Sequence, residues 1–164
     1  MARKDGDIDW LVQYADDDAN HAYEEFMSRI DAIVIGKGTF DKVPGFPTWP
    51  YQTTVFVLST SIKQVPDGLR DKVTVLSMEP GELLSYLSGK GFSNIYVDGG
   101  KVIQSFLKED LIDELIISSI PILIGSGIPL FGYLDTDLQF KHTRTEACTN
   151  GLVRSYYERK RNEP

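Results

Sequence analysis

Five short apolar runs constrain this chain more than any other feature. They read AIVIG (32–36), TVFVLS (54–59), VTVLS (73–77), NIYVD (94–98) and the longer ELIISSIPILI (114–124). Nearly continuous runs of this kind suit strands buried on both faces. Helical patterns fall between several of them. Ala19, Ala22, Tyr23, Phe26, Met27 and Ile30 form one stripe, and Asp16, Asp17 and Asp18 favour the positive end of that helix. Leu83, Leu84 and Leu87 form a second stripe, entered near Pro80 and stopped near Gly91. Val102, Ile103, Phe106 and Leu107 form a third. Alternation of strands and helices predicts an α/β fold with a mainly parallel sheet and right-handed crossovers. The 164 residues suffice for one domain, 1–164, with a full core.

The end of the chain changes character. LQFKHTRTEACTNGLVRSYYERK (138–160) alternates and contains Asn150-Gly151. That dipeptide predicts a hairpin with a type I′ turn, both central residues at positive φ. The expectation is two antiparallel strands added to the edge of the sheet, with Lys, Arg and Glu blunting the exposed edge. KVPGFPTWPYQ (42–52) is the one Pro-rich loop; its Phe46, Trp49 and Tyr51 could cover a pocket or pack down.

Charge and composition exclude several functions. The net charge of −7 disfavours nucleic acid and anionic membrane as partners, because both reward clustered Lys and Arg. No run approaches the roughly 18 apolar residues that span a bilayer. MARKDGDIDW lacks the apolar region of an export signal, so a cytoplasmic location is expected. Cys148 is the only cysteine, which leaves no internal disulfide and no Cys-based zinc site. His21 and His142 share no metal-like spacing, and no metal site is expected.

An acidic chain can still hold a phosphate with a local device such as a helix N-terminus or a backbone nest. Three strand ends offer one: Gly36-Lys37-Gly38-Thr39-Phe40, Ser59-Thr60-Ser61 and Asp98-Gly99-Gly100-Lys101. In a parallel sheet the carboxyl ends lie on one side, where ligands bind. Glycines allow close backbone approach, hydroxyls donate hydrogen bonds, and Lys37 and Lys101 supply charge. None of these is G-x-G-x-x-G. GSGIPLFG (125–132) comes nearest, but Pro129 does not suit a dinucleotide helix start.

The order of these pieces resembles the dihydrofolate reductase-like superfamily. Within it the chain is most similar to the reductase domain of the riboflavin-biosynthesis deaminase–reductase and its stand-alone bacterial relatives. DGDIDWL, IDAIVIGKGTF, VFVLSTS, IYVDGGKVIQSFLKEDLIDELIISSIPILIGSGIPLF and the final hairpin carry the resemblance over nearly the whole chain. The fold it implies is a three-layer αβα sandwich. The activity it implies is hydride transfer from NADPH to a heterocycle or a ribosylaminopyrimidine-type substrate. A nucleotide-binding protein without catalysis is the alternative, and a dihydrofolate reductase the third reading. A homodimer is also implied, with small molecules rather than nucleic acid or membrane as partners.

The resemblance carries over residue by residue. Gly36, Lys37, Gly38 and Thr39 stand where the family's Gly-Arg-x-Thr contacts cofactor phosphates, with Lys37 lacking the two-pronged guanidinium. Ser59 and Thr60 stand where Ser-Arg approaches the adenosine 2′-phosphate. Loss of that charge predicts weaker preference for NADPH over NADH, unless Lys63 or Arg70 reaches in. Asp98, Gly99, Gly100, Lys101 and Val102 form the turn that takes the pyrophosphate, provided Asp98 does not cap the helix itself. The proton donor is undetermined: Asp18, Asn20, His21 and Glu25 lie in the relevant region, with Asp18 and His21 the weak candidates. Trp10, Phe40 and Trp49 are weak candidates for the substrate pocket. Finally, Met1-Ala2 falls where the first family strand should already be ending. A central strand is therefore expected to be missing, through either a late start or a trimmed sheet, and intact-mass measurement would separate these.

Overall fold

A computed structural model describes residues 2–43 and 48–161, leaving aside the side chains of 17 and 18. Phe46 lies outside the described residues. The chain forms two compact units, residues 26–109 and residues 1–25 with 110–164.

The 26–109 unit is built on a parallel sheet. Its strands are β1 (Ala32–Gly36), β2 (Thr54–Leu58), β3 (Val73–Leu76) and β4 (Ile95–Asp98), in the order β3-β2-β1-β4. All three pairings are parallel, so the four carboxyl ends lie together. Central β1 is buried from Ala32 to Ile35, as its unbroken apolar run predicts. Its side chains alternate between faces. Ile33 and Ile35 join Val55, Val57, Val73 and Phe40 in one cluster, against which Met27 and Ile30 pack from the end of α1 (Asp17–Met27). The opposite face carries α4 (Gly100–Lys108), which touches β1 and β4 and buries Val102, Phe106 and Leu107. A side chain of this size contributes about 1.5–3 kcal/mol on full burial. The α/β fold with a parallel sheet expected from the sequence is present in this unit.

Helix boundaries follow local chemistry. α3 (Pro80–Gly89) starts at a capping box between Glu79 and Glu82, with Pro80 in its first turn. It ends where Gly91, at φ 88°, donates to the Ser88 carbonyl and Phe92 to the Leu87 carbonyl. This is the Schellman pattern, in which a left-handed residue closes the last turn. A four-residue helix, α2 (Lys37–Phe40), follows β1.

The other unit holds an antiparallel sheet of β5 (Glu114–Ser119), β6 (Phe140–Ala147) and β7 (Val153–Arg159), in the order β5-β7-β6. Three expectations change here. The fifth strand stops at Ser119 rather than 124, because Pro121 has no N–H to continue the ladder. The hairpin pairs with β5 to form a separate sheet, so it is not an addition to the edge of the parallel one. The corner is not type I′, because Asn150 does not take positive φ. Gly151 alone does, at 87°. Its N–H donates to the Cys148 carbonyl at 3.0 Å, and Cys148 N–H donates to the Leu152 carbonyl at 2.8 Å. A three-residue loop closed by a left-handed glycine results. Asn150 is freed to bind elsewhere: its Nδ2 donates to Asp16 Oδ2 at 2.6 Å, and its Oδ1 accepts from Leu152 N–H at 3.0 Å. Asp16 also caps α1, accepting the Ala19 N–H at 2.9 Å.

Among the described residues β4 is paired on one side only, to β1, and β5 on one side only, to β7. Among the described residues no further strand pairs with β4 or with the free edge of β5. Residue Ala2 makes an isolated antiparallel bridge to Ile128 instead.

Candidate functional site

Two distant motifs meet at the carboxyl ends of β1 and β4. These strands run in parallel register with Ile35 opposite Asp98, so Gly36 and Gly99 leave the sheet on the same side. Gly99 sits at φ 96° and ψ 124°, a conformation that only glycine adopts without strain. A β carbon there would lie 2.7 Å from Thr39 Oγ1. A β carbon on Gly36 would lie 2.8 Å from Val102 Cγ2. The two glycines thus let the backbone of one motif seat against a side chain of the other. Gly38 faces open space.

The first helical hydrogen bond of α4 runs from Ile103 N–H to the Gly99 carbonyl, at 2.9 Å. No side chain caps this helix. Among the described residues no acceptor takes the N–H groups of Gly100, Lys101 or Val102. Three unpaired donors at the positive end of a nine-residue helix suit an anionic group.

Asp98 does not occupy them. Its carboxyl accepts from the Gly99 N–H and from the Tyr96 hydroxyl. Burial pushes its pKa above the ordinary carboxylate range, and those two hydrogen bonds hold it back only in part. Lys37 is exposed and pairs with Asp41 one turn along α2, so its charge is shared within that helix. Lys101 is exposed on the first turn of α4.

A second depression, of about 350 Å³, opens at the carboxyl ends of β2 and β3. Ser59, Thr60, Lys63, Gln64 and Ser77 supply its polar lining, and Val65 and Val75 an apolar wall. Ser59 Oγ accepts the N–H groups of Ser61 and Ile62, both at 3.2 Å, which fixes the turn leaving β2. Thr60 is exposed beside it.

The remaining candidates lie elsewhere. Phe40 is a core residue, 6% exposed, in the cluster with Ile33 and Ile35. Trp49 packs edge-on against Tyr51, with ring centroids 5.4 Å apart. It lines a depression with Thr54 and Val73, the first residues of β2 and β3. That is the end of the sheet opposite the glycines. Arg70 lines the same depression and pairs with Asp67 at 2.7 Å. Trp10, Asp18 and His21 belong to the other unit. Trp10 sits in a 3-10 turn (Asp9–Tyr14), its indole N–H buried without an acceptor among the described residues. His21 is exposed on α1. The side chain of Asp18 lies outside the described residues.

Sequence reasoning passed over Gln64, Ser77 and Asp41. The last two carried a signal: Ser77 follows β3 as Ser59 follows β2, and Asp41 stands four residues after Lys37. Gln64 carried none, since its place depends on how the loop after β2 folds back.

The α/β fold with a parallel four-stranded sheet and an antiparallel three-stranded sheet is dihydrofolate reductase-like. The chain belongs to the RibD C-terminal domain family, whose model matches residues 1–154. It is 36% identical over 150 residues to the uncharacterized protein YwjB of Bacillus subtilis, covering 88% of this chain and 83% of that one. The crystal structure of a Shewanella protein provisionally assigned to riboflavin biosynthesis superimposes with a TM-score of 0.92 at 41% identity, covering 98% of this chain and 92% of that one. Dihydrofolate reductase from Enterococcus faecalis, solved with NADP(H), shares the fold at 18% identity and a TM-score of 0.66, covering 98% of this chain and 90% of that one.

Proposed function

We propose that this protein is an NADPH-dependent reductase that passes hydride to a ribosylaminopyrimidine or a related heterocycle. One observation carries the reading: Gly36 and Thr39 meet Gly99 and Val102 at the carboxyl ends of adjacent parallel strands, beside three unpaired helix amides. Membership of the RibD C-terminal domain family supports a reductase, and the Shewanella relative supports a riboflavin-type substrate. The dinucleotide, when bound, supplies the hydride. The chain's own part is placement. Gly99, Gly100, Lys101 and Val102 would hold the diphosphate with backbone N–H groups, and Thr39 would donate from the facing turn. Water is sufficient as proton source, since ring placement dominates a transfer of this kind. NADH remains a candidate donor because Thr60 is uncharged.

The second reading, nucleotide binding without catalysis, is favoured by the pairing of Lys37 with Asp41, which leaves less charge for phosphates. Fluorescence titration with NADPH and NADH, followed by oxidation assays with dihydrofolate and the ribosylaminopyrimidine, separates the readings. Turnover of the pyrimidine supports the first, cofactor binding without turnover supports the second, and turnover of dihydrofolate supports a folate enzyme. Binding of neither cofactor overturns all three.

A homodimer in the cytoplasm goes with the leading reading. The segment 122–133 exposes Leu123 (99%) and Tyr133 (78%), which self-association would cover. No described helix is long and apolar enough to cross a membrane.

A further inference from the structure

The Pro-rich loop takes no part in the glycine site. The end of it that enters β2 builds a pocket of about 280 Å³ at the amino ends of β2 and β3. Two aromatic side chains, Trp49 and Tyr51, and three charged ones, Arg70, Asp71 and Lys72, line it. Gln52 and Thr74 add hydrogen-bonding groups. The pocket opens where the ladder stops. The first β2–β3 pair is Val55 with Val73, so Thr54 and Lys72, one residue earlier on each strand, stand outside that pairing.

The aromatic wall is fixed before any ligand arrives. Trp49 and Tyr51 meet edge-on at 75°, and both pack against the core cluster of Ile33, Ile35 and Phe40. Rings held by the core lose little freedom on binding. Lys72 Nζ stands over the Trp49 ring, 5.9 Å from its centre, so that face of the indole is turned to the pocket's own cation. Lys72 makes no ion pair among the described residues. Arg70 pairs with Asp67, but the two side chains are 66% and 88% exposed, and a pair so open to water is exchanged readily for another anion. Asp71 is the one carboxylate in the lining. In a chain of net charge −7, two cations against one acid beside a ring face favour a flat ring that carries a negative group. The volume is at the small end of ligand pockets and suits one ring system with its substituent. β2 separates this pocket from the carboxyl ends of the sheet by about 13 Å, from Thr54 to Leu58.

We propose that this pocket is a second ligand site, which stacks a single planar aromatic ring on Trp49 and holds the ring's phosphate or carboxylate with Lys72 and Arg70. The site does not depend on the reductase reading.

The test is binding, with Trp49 as its own reporter. The chain has two tryptophans, so Trp10→Phe leaves Trp49 as the only indole. Its fluorescence is titrated with 5′-AMP and with nicotinate, and with adenosine and ribose 5-phosphate, which lack the anion and the ring respectively. All four titrations are repeated in saturating NADP+. Saturable quenching by 5′-AMP, by nicotinate or by both is expected, and the two arms tell a phosphate ligand from a carboxylate one. Lys72→Gln and Arg70→Gln should each weaken binding roughly tenfold, and Lys72→Arg should keep it. Should Trp10→Phe fail to fold, saturation-transfer NMR of the same probes on the wild type and the Lys72 and Arg70 variants decides the question. The site is overturned if neither 5′-AMP nor nicotinate binds, if Lys72→Gln and Arg70→Gln leave their affinity unchanged, if NADP+ displaces them, or if adenosine or ribose 5-phosphate binds equally well. Failure of NADP+ itself to bind would count against the reductase reading alone.

Discussion

Gly99 and Thr39 are in contact so close that a β carbon on Gly99 would stand 2.7 Å from the threonine hydroxyl. Sixty residues of sequence separate them, and the parallel register of β1 and β4 brings them together. Gly99→Ala therefore meets two obstacles, the positive φ and the hydroxyl. A residue forced into such backbone costs about 1–3 kcal/mol. Urea denaturation should show that loss, and cofactor titration should show weakened binding. Adding Thr39→Ala should recover only part of the stability, because the φ of 96° remains. Full recovery would mean that sterics alone require the glycine.

Gly36 faces a different obstacle. Its φ of −91° suits any residue, so an alanine is opposed only by Val102 Cγ2, which lies 2.8 Å from where the new β carbon would stand. Overpacking of this kind costs about 1–3 kcal/mol. The expected result is strong coupling: Gly36→Ala destabilises, and Val102→Ala relieves much of that penalty in the double variant. A double-mutant cycle in urea measures it, and simple additivity would refute the contact.

Two carboxylates in the 26–109 unit should respond oppositely to pH. Asp31 Oδ2 accepts the Asn94 N–H at 2.7 Å and the Ser93 N–H at 3.0 Å, and these bonds hold its pKa below the ordinary 3.8. Its stabilisation is present above that ordinary value and is lost as pH falls through the folded pKa. Asp98 is raised by burial, so its contribution is present below the ordinary value and is lost as pH rises through its folded pKa. Thermal midpoints across about pH 3 to 7 should show Asp31→Asn losing part of the acid-side dependence. Asp98→Asn should lose part of the decline on the neutral side. Unchanged profiles in both variants would contradict these assignments.

In the other unit, Asn150 joins the hairpin corner to the start of α1 through Asp16. Asn150→Ala leaves the Leu152 N–H and one Asp16 oxygen without this partner and should destabilise by about 1–3 kcal/mol. Asn150→Asp should be worse at neutral pH, since it sets a second carboxylate against Asp16, and milder when both are protonated. Chemical denaturation at two pH values checks this; equal effects at both would rule out a direct Asn150–Asp16 bond.

Strand and helix identity was legible in the sequence because it depends on local pattern. AIVIG had to be a buried strand, Pro80 with Glu79 and Glu82 had to begin a helix, and Gly91 had to end one. The order of those pieces was enough to name the family. The three strand ends of the candidate site were legible for the same reason, since glycine and hydroxyl residues directly follow the apolar runs.

Tertiary structure decided what depends on partners far along the chain. Asn150-Gly151 specifies a turn, but only the folded chain shows that Gly151 alone takes positive φ and that the Asn150 side chain meets Asp16, 134 residues away. The shared direction of the parallel strands put Trp49 and Arg70, beside Thr54 and Val73, at one end of the sheet and Gly99, after β4, at the other. Lys37 was claimed by Asp41, while the fold of the loop after β2 left Lys63 in the depression with Thr60. Apolar periodicity is a property of neighbours along the chain. The placement of a charge is a property of neighbours in space, and only the folded chain fixes those.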